Sequence, residues 1–345
     1  MKNKLILDIL QNKVNYGPQI ANIYINSQCN LKCEYCWFHS FLNKKKMPNR
    51  IIPFSAIQKN INELKELGTK YIVLSSHGEP WLHPQIQSII SYIKNQGLYL
   101  RITTNLTFKE KKLRLLFARA DFLAVNFSAP EKELYKKIHS PSNSSTFETV
   151  VENLSLYSSL YRKRKKPFVE VRYIITKNNY RYIDKMLKLA KKLRIPQIRF
   201  RIFDPTPSTR TLLLSKEDYL SLKNMIKRIL KKYSNCKTNL EKLYEHIGNE
   251  GKVNFQLNRC FVGWLRISLE LNGKIGFCCQ NDKLIIGNWK KDSIKKAWFS
   301  DIANKLRKKL KYDFNFKKRE WKNCLFCFME EENLYIDSIL KKFGE

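Results

Sequence analysis

From Ile20 to about Ile202, short runs of apolar and β-branched residues alternate with longer stretches in which apolar residues recur every three or four positions. That alternation is the pattern of successive βα units around a parallel sheet. Strands are expected at Ile20–Ile25, Tyr71–Leu74, Tyr99–Thr103, Phe122–Phe127, Phe168–Ile175 and Gln197–Phe203, with helices over Phe54–Leu67, Pro84–Gln96, Phe147–Leu160 and Tyr182–Leu193 between them. Six such units suit a sheet curved into a partial barrel, so the expected fold class is α/β, a partial (β/α)6 barrel. After Asp204 the pattern changes. A Pro-Thr-Pro-Ser segment reads as a loop, and Lys216–Tyr233 reads as a long amphipathic helix. Further on, Leu265–Leu271 and Lys274–Cys278 flank Asn272-Gly273, a pair suited to a tight two-residue hairpin turn, and a helix is expected from about Ser293 to Leu310. The expected division is an N-terminal segment (1–19), a barrel core (20–210), a helical connector (211–255) and a small C-terminal domain of hairpin plus helix (256–345).

Composition narrows the class. The 345 residues are 43% hydrophobic, enough for a barrel and an appended domain. No run approaches the roughly 18 apolar residues of a membrane span, and MKNKLILDIL is too polar for a secretory signal, so a cytoplasmic chain with no membrane span is expected. The formal charge of +35 would attract polyanions, which keeps nucleic acid open as a partner. The lysines are nevertheless spread over every expected helix. Their densest clusters, Lys44–Lys46, Arg162–Lys166 and Lys290–Lys318, form no single stripe in sequence, and solvated helix faces are the favoured reading. Nine cysteines in such a chain argue for metal or redox chemistry before disulfides.

Cys29-x-x-x-Cys33-x-x-Cys36 follows directly on the first expected strand, so three thiolates project from one loop. Three ligands leave a four-iron cluster with one open iron, as needed to bind a small molecule and pass an electron. A structural zinc site is the alternative on spacing alone. CNLKCEYC resembles the CxxxCxΦC signature of the radical S-adenosylmethionine (SAM) superfamily, with Tyr35 at the aromatic position that in that family lies by the adenine of SAM. Later stretches resemble the same family in order. Ser76-His77-Gly78-Glu79-Pro80 is similar to its GGEP motif, whose strand-end backbone and Glu meet the methionine amino group; His77 stands where the motif has its first Gly. Thr103-Thr104-Asn105 resembles the Thr-Asn segment that approaches SAM. Asn126-Phe127-Ser128-Ala129 resembles the strand end that binds ribose, with Asn126 for Ser and Ser128 for Asp or Asn. Arg172, on the fifth strand, is placed to pair with the SAM carboxylate. All these segments end strands of one sheet, the face where parallel barrels gather catalytic residues.

A second constellation reads Cys260-x12-Gly273-x4-Cys278, a gap, then Cys324-x-x-Cys327. It resembles the C-terminal extension of the SPASM and Twitch subfamilies, which holds an auxiliary four-iron cluster. Four thiolates close a site, and zinc would accept them as well. With no further cysteine after Cys327, the set looks like the Twitch arrangement with one auxiliary [4Fe-4S] cluster; Gly287-Asn288 and Trp298 match its GN…W segment. Cys236 and Cys279 are left over, and Cys279 is an alternative to Cys278.

What the resemblance implies is reductive cleavage of SAM to methionine and a 5′-deoxyadenosyl radical that takes a hydrogen from a substrate, with the auxiliary cluster assisting electron transfer. The implied partners are SAM, an electron donor such as flavodoxin or ferredoxin, and a small sugar-like metabolite or a peptide as substrate. About twenty residues precede the first strand, fewer than a leader-binding domain needs, which weighs against a leader-guided peptide. Asp204, at the sixth strand's end beside Arg201, is the candidate to take a proton released by an oxidation. His39 and His83 are assigned no role. An RNA-modifying relative and a non-catalytic zinc protein remain the competing readings.

Overall fold

Residues 2–344 are described by the computed structural model, apart from 45, 144, 233–236, 255–256, 282, 316–317, 319–323, 325–326 and 328; Cys236 therefore lies outside the described residues. A first helix, α1 (Lys2–Leu10), precedes the sheet. The apolar runs then form β1 (Ile20–Tyr24), β2 (Tyr71–Ser75), β3 (Tyr99–Thr104), β4 (Phe122–Asn126), β5 (Phe168–Ile175) and β6 (Gln197–Ile202). These six pair in sequence order, all parallel. Between them run α2 (Phe54–Glu66), α3 (Ile86–Asn95), α4 (Lys111–Phe117), α5 (Lys132–His139), α6 (Thr146–Arg164) and α7 (Ile183–Leu193).

Strand alternation explains both faces of this sheet. Ile72, Leu74, Leu100, Ile102, Val169 and Val171 are fully buried and belong to one core with Ile57, Ile61, Leu64, Ile89 and Ile90 of α2 and α3. The intervening positions, among them Asn22, Ser75, Arg101, Thr103, Asn126 and Arg172, face the concave side and line a cavity. The expected partial (β/α)6 barrel is present, and its polar interior accounts for the cations inside otherwise apolar runs.

After β6 come α8 (Lys216–Lys232), β7 (Lys237–Thr238), α9 (Leu240–His246), α10 (Val262–Leu265), β8 (Arg266–Leu269), β9 (Lys274–Gly276) and β10 (Ile285–Asn288). β7 extends the sheet beyond β6. β8 lies parallel to β1 and carries β9 and β10 as antiparallel neighbours, so the C-terminal hairpin continues the barrel sheet into one of ten strands.

Three local expectations are corrected. The loop after Asp204 contains a 3-10 turn, Pro207–Leu212, begun by a reciprocal Thr206–Thr209 cap. The hairpin loop has three residues, not two: Glu270 and Lys274 still bond, Gly273 N–H donates to Glu270 O, and Gly273 alone has positive φ (98°). A two-residue type I′ turn needs positive φ at Asn272 as well. The helix expected over 293–310 is two helices, α11 (Ile294–Trp298) and α12 (Asp301–Tyr312), because the Ser300 hydroxyl caps a new start by accepting from Ala303 N.

The segment before β1 is bound to the far end of the chain. Ile6 and Ile9 pack with Phe261, Trp264, Ile336 and Leu340, the last two on α13 (Glu330–Leu340). Trp264 Nε1 donates to Lys13 O at 3.0 Å, Trp298 Nε1 to Tyr16 O at 2.9 Å, and Lys311 Nζ to Ile9 O at 2.8 Å. Trp264→Ala is expected to cost about 3–5 kcal/mol. Thermal unfolding checks the loss, and limited proteolysis should find the earliest new cuts between residues 2 and 16.

Candidate active site and cluster chambers

The cysteine loop leaves β1 and is pinned from three sides. Asn26 Nδ2 donates to Glu79 O at 3.0 Å, Asn26 also bonds Ser76, and Glu79 N–H donates to Gln28 O at 2.6 Å. A Cβ on Gly78 would stand 1.9 Å from Gln28 O, so only glycine lets the loop lie against the end of β2. Opposite, Glu34 accepts from Thr176 Oγ1 and Asn178 Nδ2, both at 2.8 Å, tying the loop to the exit of β5. Lys32 N and Glu34 N donate to His139 O and Ile138 O at the end of α5.

Each thiol in the loop meets a hydrogen-bond donor. His39 N–H donates to Cys36 Sγ at 3.3 Å, and backbone N–H groups of Asn30 and Leu31 reach Cys29. Cys33 Sγ lies 3.2 Å from His139 Nδ1. Because Ser128 N–H donates to Nε2 of that ring at 3.0 Å, the ring proton sits on Nδ1 and points at the sulfur. Burial drives the His139 pKa down to about 3, so the ring is neutral. Burial also pushes Cys29 up to about 12, so its thiolate needs a cationic partner. Burial pushes Glu79 up to about 8, although Thr104 Oγ1 at 2.6 Å and Asn105 N at 2.7 Å donate to its carboxylate.

Over these strand ends lies a cavity of about 420 Å³. Tyr35, Trp37, Phe38 and His77 line its upper wall; Asp204, Cys279 and Gln280 also border it. His77 stacks on Phe38 with centroids 4.1 Å apart and pairs with Glu270 at 3.0 Å, so the residue that departs from the motif tethers the end of β2 to the C-terminal hairpin. Trp37 Nε1 donates to Asp204 O at 2.9 Å. Burial raises the Asp204 pKa to about 6 against the pull of Arg201, and its Oδ2 has no hydrogen-bond partner among the described residues.

A second, smaller chamber is lined by Cys260, Cys278, Cys324 and Cys327 among Leu257, Val262, Leu284, Leu310, Phe314 and Met329. Cys279 faces the central cavity instead, so Cys278 is the member of the adjacent pair that joins the other three. Gln280 N donates to Cys278 Sγ at 3.4 Å, Met329 N to Cys327 Sγ at 3.3 Å, and Asn281 Nδ2 approaches Cys324 Sγ at 3.8 Å. Gln280 and Met329 border both chambers. Among the described residues, no three His, Cys, Asp or Glu side chains close on one point as ligands of a single ion do. Tetrahedral zinc would need sulfurs about 3.8 Å apart. In an iron–sulfur cluster each thiolate binds a different iron, and N–H groups aimed at sulfur suit its thiolates.

A family model for the radical SAM superfamily matches residues 23–190, and one for the SPASM iron-sulfur cluster-binding domain matches residues 260–338. The chain belongs to the radical SAM superfamily. Its radical SAM domain binds a four-iron cluster and SAM, and its SPASM domain binds auxiliary iron–sulfur clusters. A probable GTP 3′,8-cyclase from Methanococcus maripaludis is 32% identical over 141 residues, covering 40% of this chain and 46% of that protein. A cysteine-type anaerobic sulfatase-maturating enzyme from Clostridium novyi is 24% identical, covering 58% and 56%. The chain thus spans about half the length of these curated relatives. The crystal structure of Streptococcus suis SuiB bound to its precursor peptide SuiA superimposes with a TM-score of 0.66 at 16% identity, over 98% of this chain and 76% of that one.

In this radical SAM fold the motif residues divide between the cavity and its support. Tyr35, Asn126, Arg172 and Asp204 face the cavity. Thr104 does not: strand alternation turns it outward onto Glu79, and Thr103 takes the inward place. Ser128, expected at the ribose, is fully buried; its hydroxyl accepts from Ile174 N and donates to Tyr35. Asn105 accepts from Trp81 Nε1 and Thr107, and Pro80 is buried at the start of a 3-10 turn. His83 is structural, its ring held between Ile52 O and Gln85 N.

Two outcomes follow from this geometry. Gly78→Ala is expected to lower bound iron by about four atoms per chain, the content of one cluster, while the SPASM cluster stays loaded; iron and sulfide analysis checks it. His139→Leu removes the N–H aimed at Cys33, which favours the more negative reduced cluster, so the midpoint potential of that cluster should fall in a spectroscopic titration.

Proposed function

We propose that the chain cleaves SAM reductively at a cluster held by Cys29, Cys33 and Cys36 and uses it to oxidise or modify a small metabolite in the central cavity. The observation that carries this reading is the wall shared by the two chambers: Gln280 and Met329 touch both the cavity and the four-cysteine chamber. When bound, the first cluster and SAM supply a 5′-deoxyadenosyl radical that abstracts hydrogen, and a cluster on Cys260, Cys278, Cys324 and Cys327 supplies an acceptor for the substrate's electron.

The protein's own residues orient and shield. Glu79 and the backbone of Ser76–Gly78 receive the methionine ammonium, Arg172 its carboxylate, and Tyr35 and Asn126 the adenosine. Asp204, with its pKa near 6, is ionised at neutral pH and takes the proton released on oxidation. The name of the GTP 3′,8-cyclase relative favours a small, nucleotide-like substrate. An acidic flavodoxin or ferredoxin suits the +35 charge as electron donor. These reductants and SAM are cytoplasmic, and we place the chain there.

Anaerobically reconstituted protein with dithionite and SAM is expected to form 5′-deoxyadenosine, and the Cys29/Cys33/Cys36 triple Ala variant to form none; equal formation by both would overturn the proposal. A proton balance tests Glu79. Burial keeps its carboxyl protonated up to about pH 8, and an adjacent ammonium lowers that pKa, so SAM binding at pH 7 should expel up to one proton. Affinity should therefore rise with pH and level off above about 8. Calorimetry in buffers of different ionisation enthalpy reads the proton, and Glu79→Gln should abolish its release.

A further inference from the structure

The cavity carries an arginine cluster of which the motif reading accounts only for Arg172. Arg101 on β3, Arg172 on β5, Arg199 on β6 and Arg266 on β8 all line it. One buried carboxylate, Glu170, accepts Arg101 Nη2 at 2.9 Å, Arg172 Nε at 3.2 Å, Arg199 Nε at 3.1 Å and Gln197 Nε2 at 3.2 Å. On the first turn of α13, half-exposed Glu332 accepts from Arg266 Nη2 at 2.6 Å, and Glu331 lies 3.6 Å from Arg199. Nearer the strand ends, Arg201 faces Asp204.

Donors outnumber these acceptors. Four guanidinium groups present about twenty N–H donors, whereas Glu170 and Glu332 together take four of them at hydrogen-bond distance. Arg101 Nε and Arg266 Nε are buried with no acceptor among the described residues. Arg101 is pulled down to about 9, first by burial and then by Arg172, Arg266 and Arg199. Four guanidinium groups stand against three carboxylates, the fully buried Glu170 and the half-exposed Glu331 and Glu332, which leaves a positive surplus that a further anion would neutralise.

Depth separates Arg101 and Arg266 from the SAM contacts. Arg172 pairs in register with Asn126, the last residue of β4, at the strand ends. Arg101 pairs with Phe122, the first residue of β4, and Arg266 with Ile20, the first residue of β1. Arg199 pairs with Arg172 and so lies at the upper level. An anion between Arg101 and Arg266 would thus sit below a molecule held at the strand ends, with Arg199 above it.

We propose that Arg101 and Arg266 form an anchoring site for a phosphate group of the substrate, whose other end reaches past Arg199 to the strand ends where hydrogen is taken. The inference rests on the proposed function and names the substrate class: a phosphorylated small molecule. A guanidinium fork matches phosphate oxygens two at a time, and phosphate offers acceptors that the neighbouring carboxylates leave unfilled.

The test uses anaerobic holoprotein saturated with SAM and isothermal calorimetry without reductant, with inorganic pyrophosphate and ribose 5-phosphate as probes and an acidic pentapeptide as comparison. Both phosphates are expected to bind, at least ten-fold more weakly in Arg101→Gln and Arg266→Gln that keep full iron content and an unchanged unfolding temperature. Arg101→Lys, which keeps charge but not the fork, should show an intermediate loss and serves if the Gln variant does not fold. Phosphate binding indifferent to these changes would be generic attraction to a basic chain and would overturn the proposal. Phosphate binding that appears only when SAM is left out would assign the arginines to the SAM carboxylate, and binding of the peptide alone would assign them to an acidic peptide; either result overturns it. Because no turnover is read, these outcomes stay separate from a failure to form 5′-deoxyadenosine, which would sink the underlying function.

Discussion

The site depends on a close backbone approach: the Cys29–Cys36 loop lies on the end of β2 because Gly78 has no side chain. Glu79 N–H reaches Gln28 O at 2.6 Å through the space a Cβ would fill. The same contact carries Glu79 down beside Cys29, where Thr104 and Asn105 brace it from the end of β3. One residue without a side chain thus couples the cysteine loop, two strand ends and a buried carboxylate. Glu34 closes the other side by joining the loop to Thr176 and Asn178.

Around that contact the polar groups fall into layers. N–H groups point at sulfur in both chambers, the chemistry that iron–sulfur ligation by a radical SAM and SPASM pair requires. The larger chamber is a cavity with polar strand ends above and guanidinium groups below. The hairpin does more than carry cysteines. β8 joins β1 in the sheet, Glu270 holds His77, and Arg266 contributes to the cavity floor, so the SPASM domain builds one wall of the site.

The six strands were legible because their outward residues are apolar without exception near the middle, and the cysteine spacing was legible because one loop carries it. Residues that act through pairing across the fold were not. His139 lies 106 positions from Cys33, and nothing near it in sequence marks it as a sulfur partner. Glu34 sits inside the recognised motif yet acts on β5. The motif at Thr103-Thr104-Asn105 was found, but a one-residue phase decides that Thr103 faces the cavity and Thr104 the support. Arg101, Arg199 and Arg266 are scattered singly over three strands, and no motif marks them until the barrel gathers them. Ser300 ends a continuous amphipathic pattern by capping, a signal weaker than the periodicity on either side. The terminal helices α1 and α13 bury their apolar residues mainly on each other and on Phe261 and Trp264, which periodicity near either end alone does not reveal.

The central claim is that one chain holds an open three-cysteine cluster facing SAM and a closed four-cysteine cluster beyond Gln280 and Met329. Electron paramagnetic resonance of the dithionite-reduced holoprotein, recorded before and after addition of SAM, tests it most directly. The expected result is two overlapping cluster signals, of which SAM shifts one; that one should be missing from the Cys29/Cys33/Cys36 triple Ala variant. Two signals that both ignore SAM, or a spectrum with no iron–sulfur signal, would contradict it.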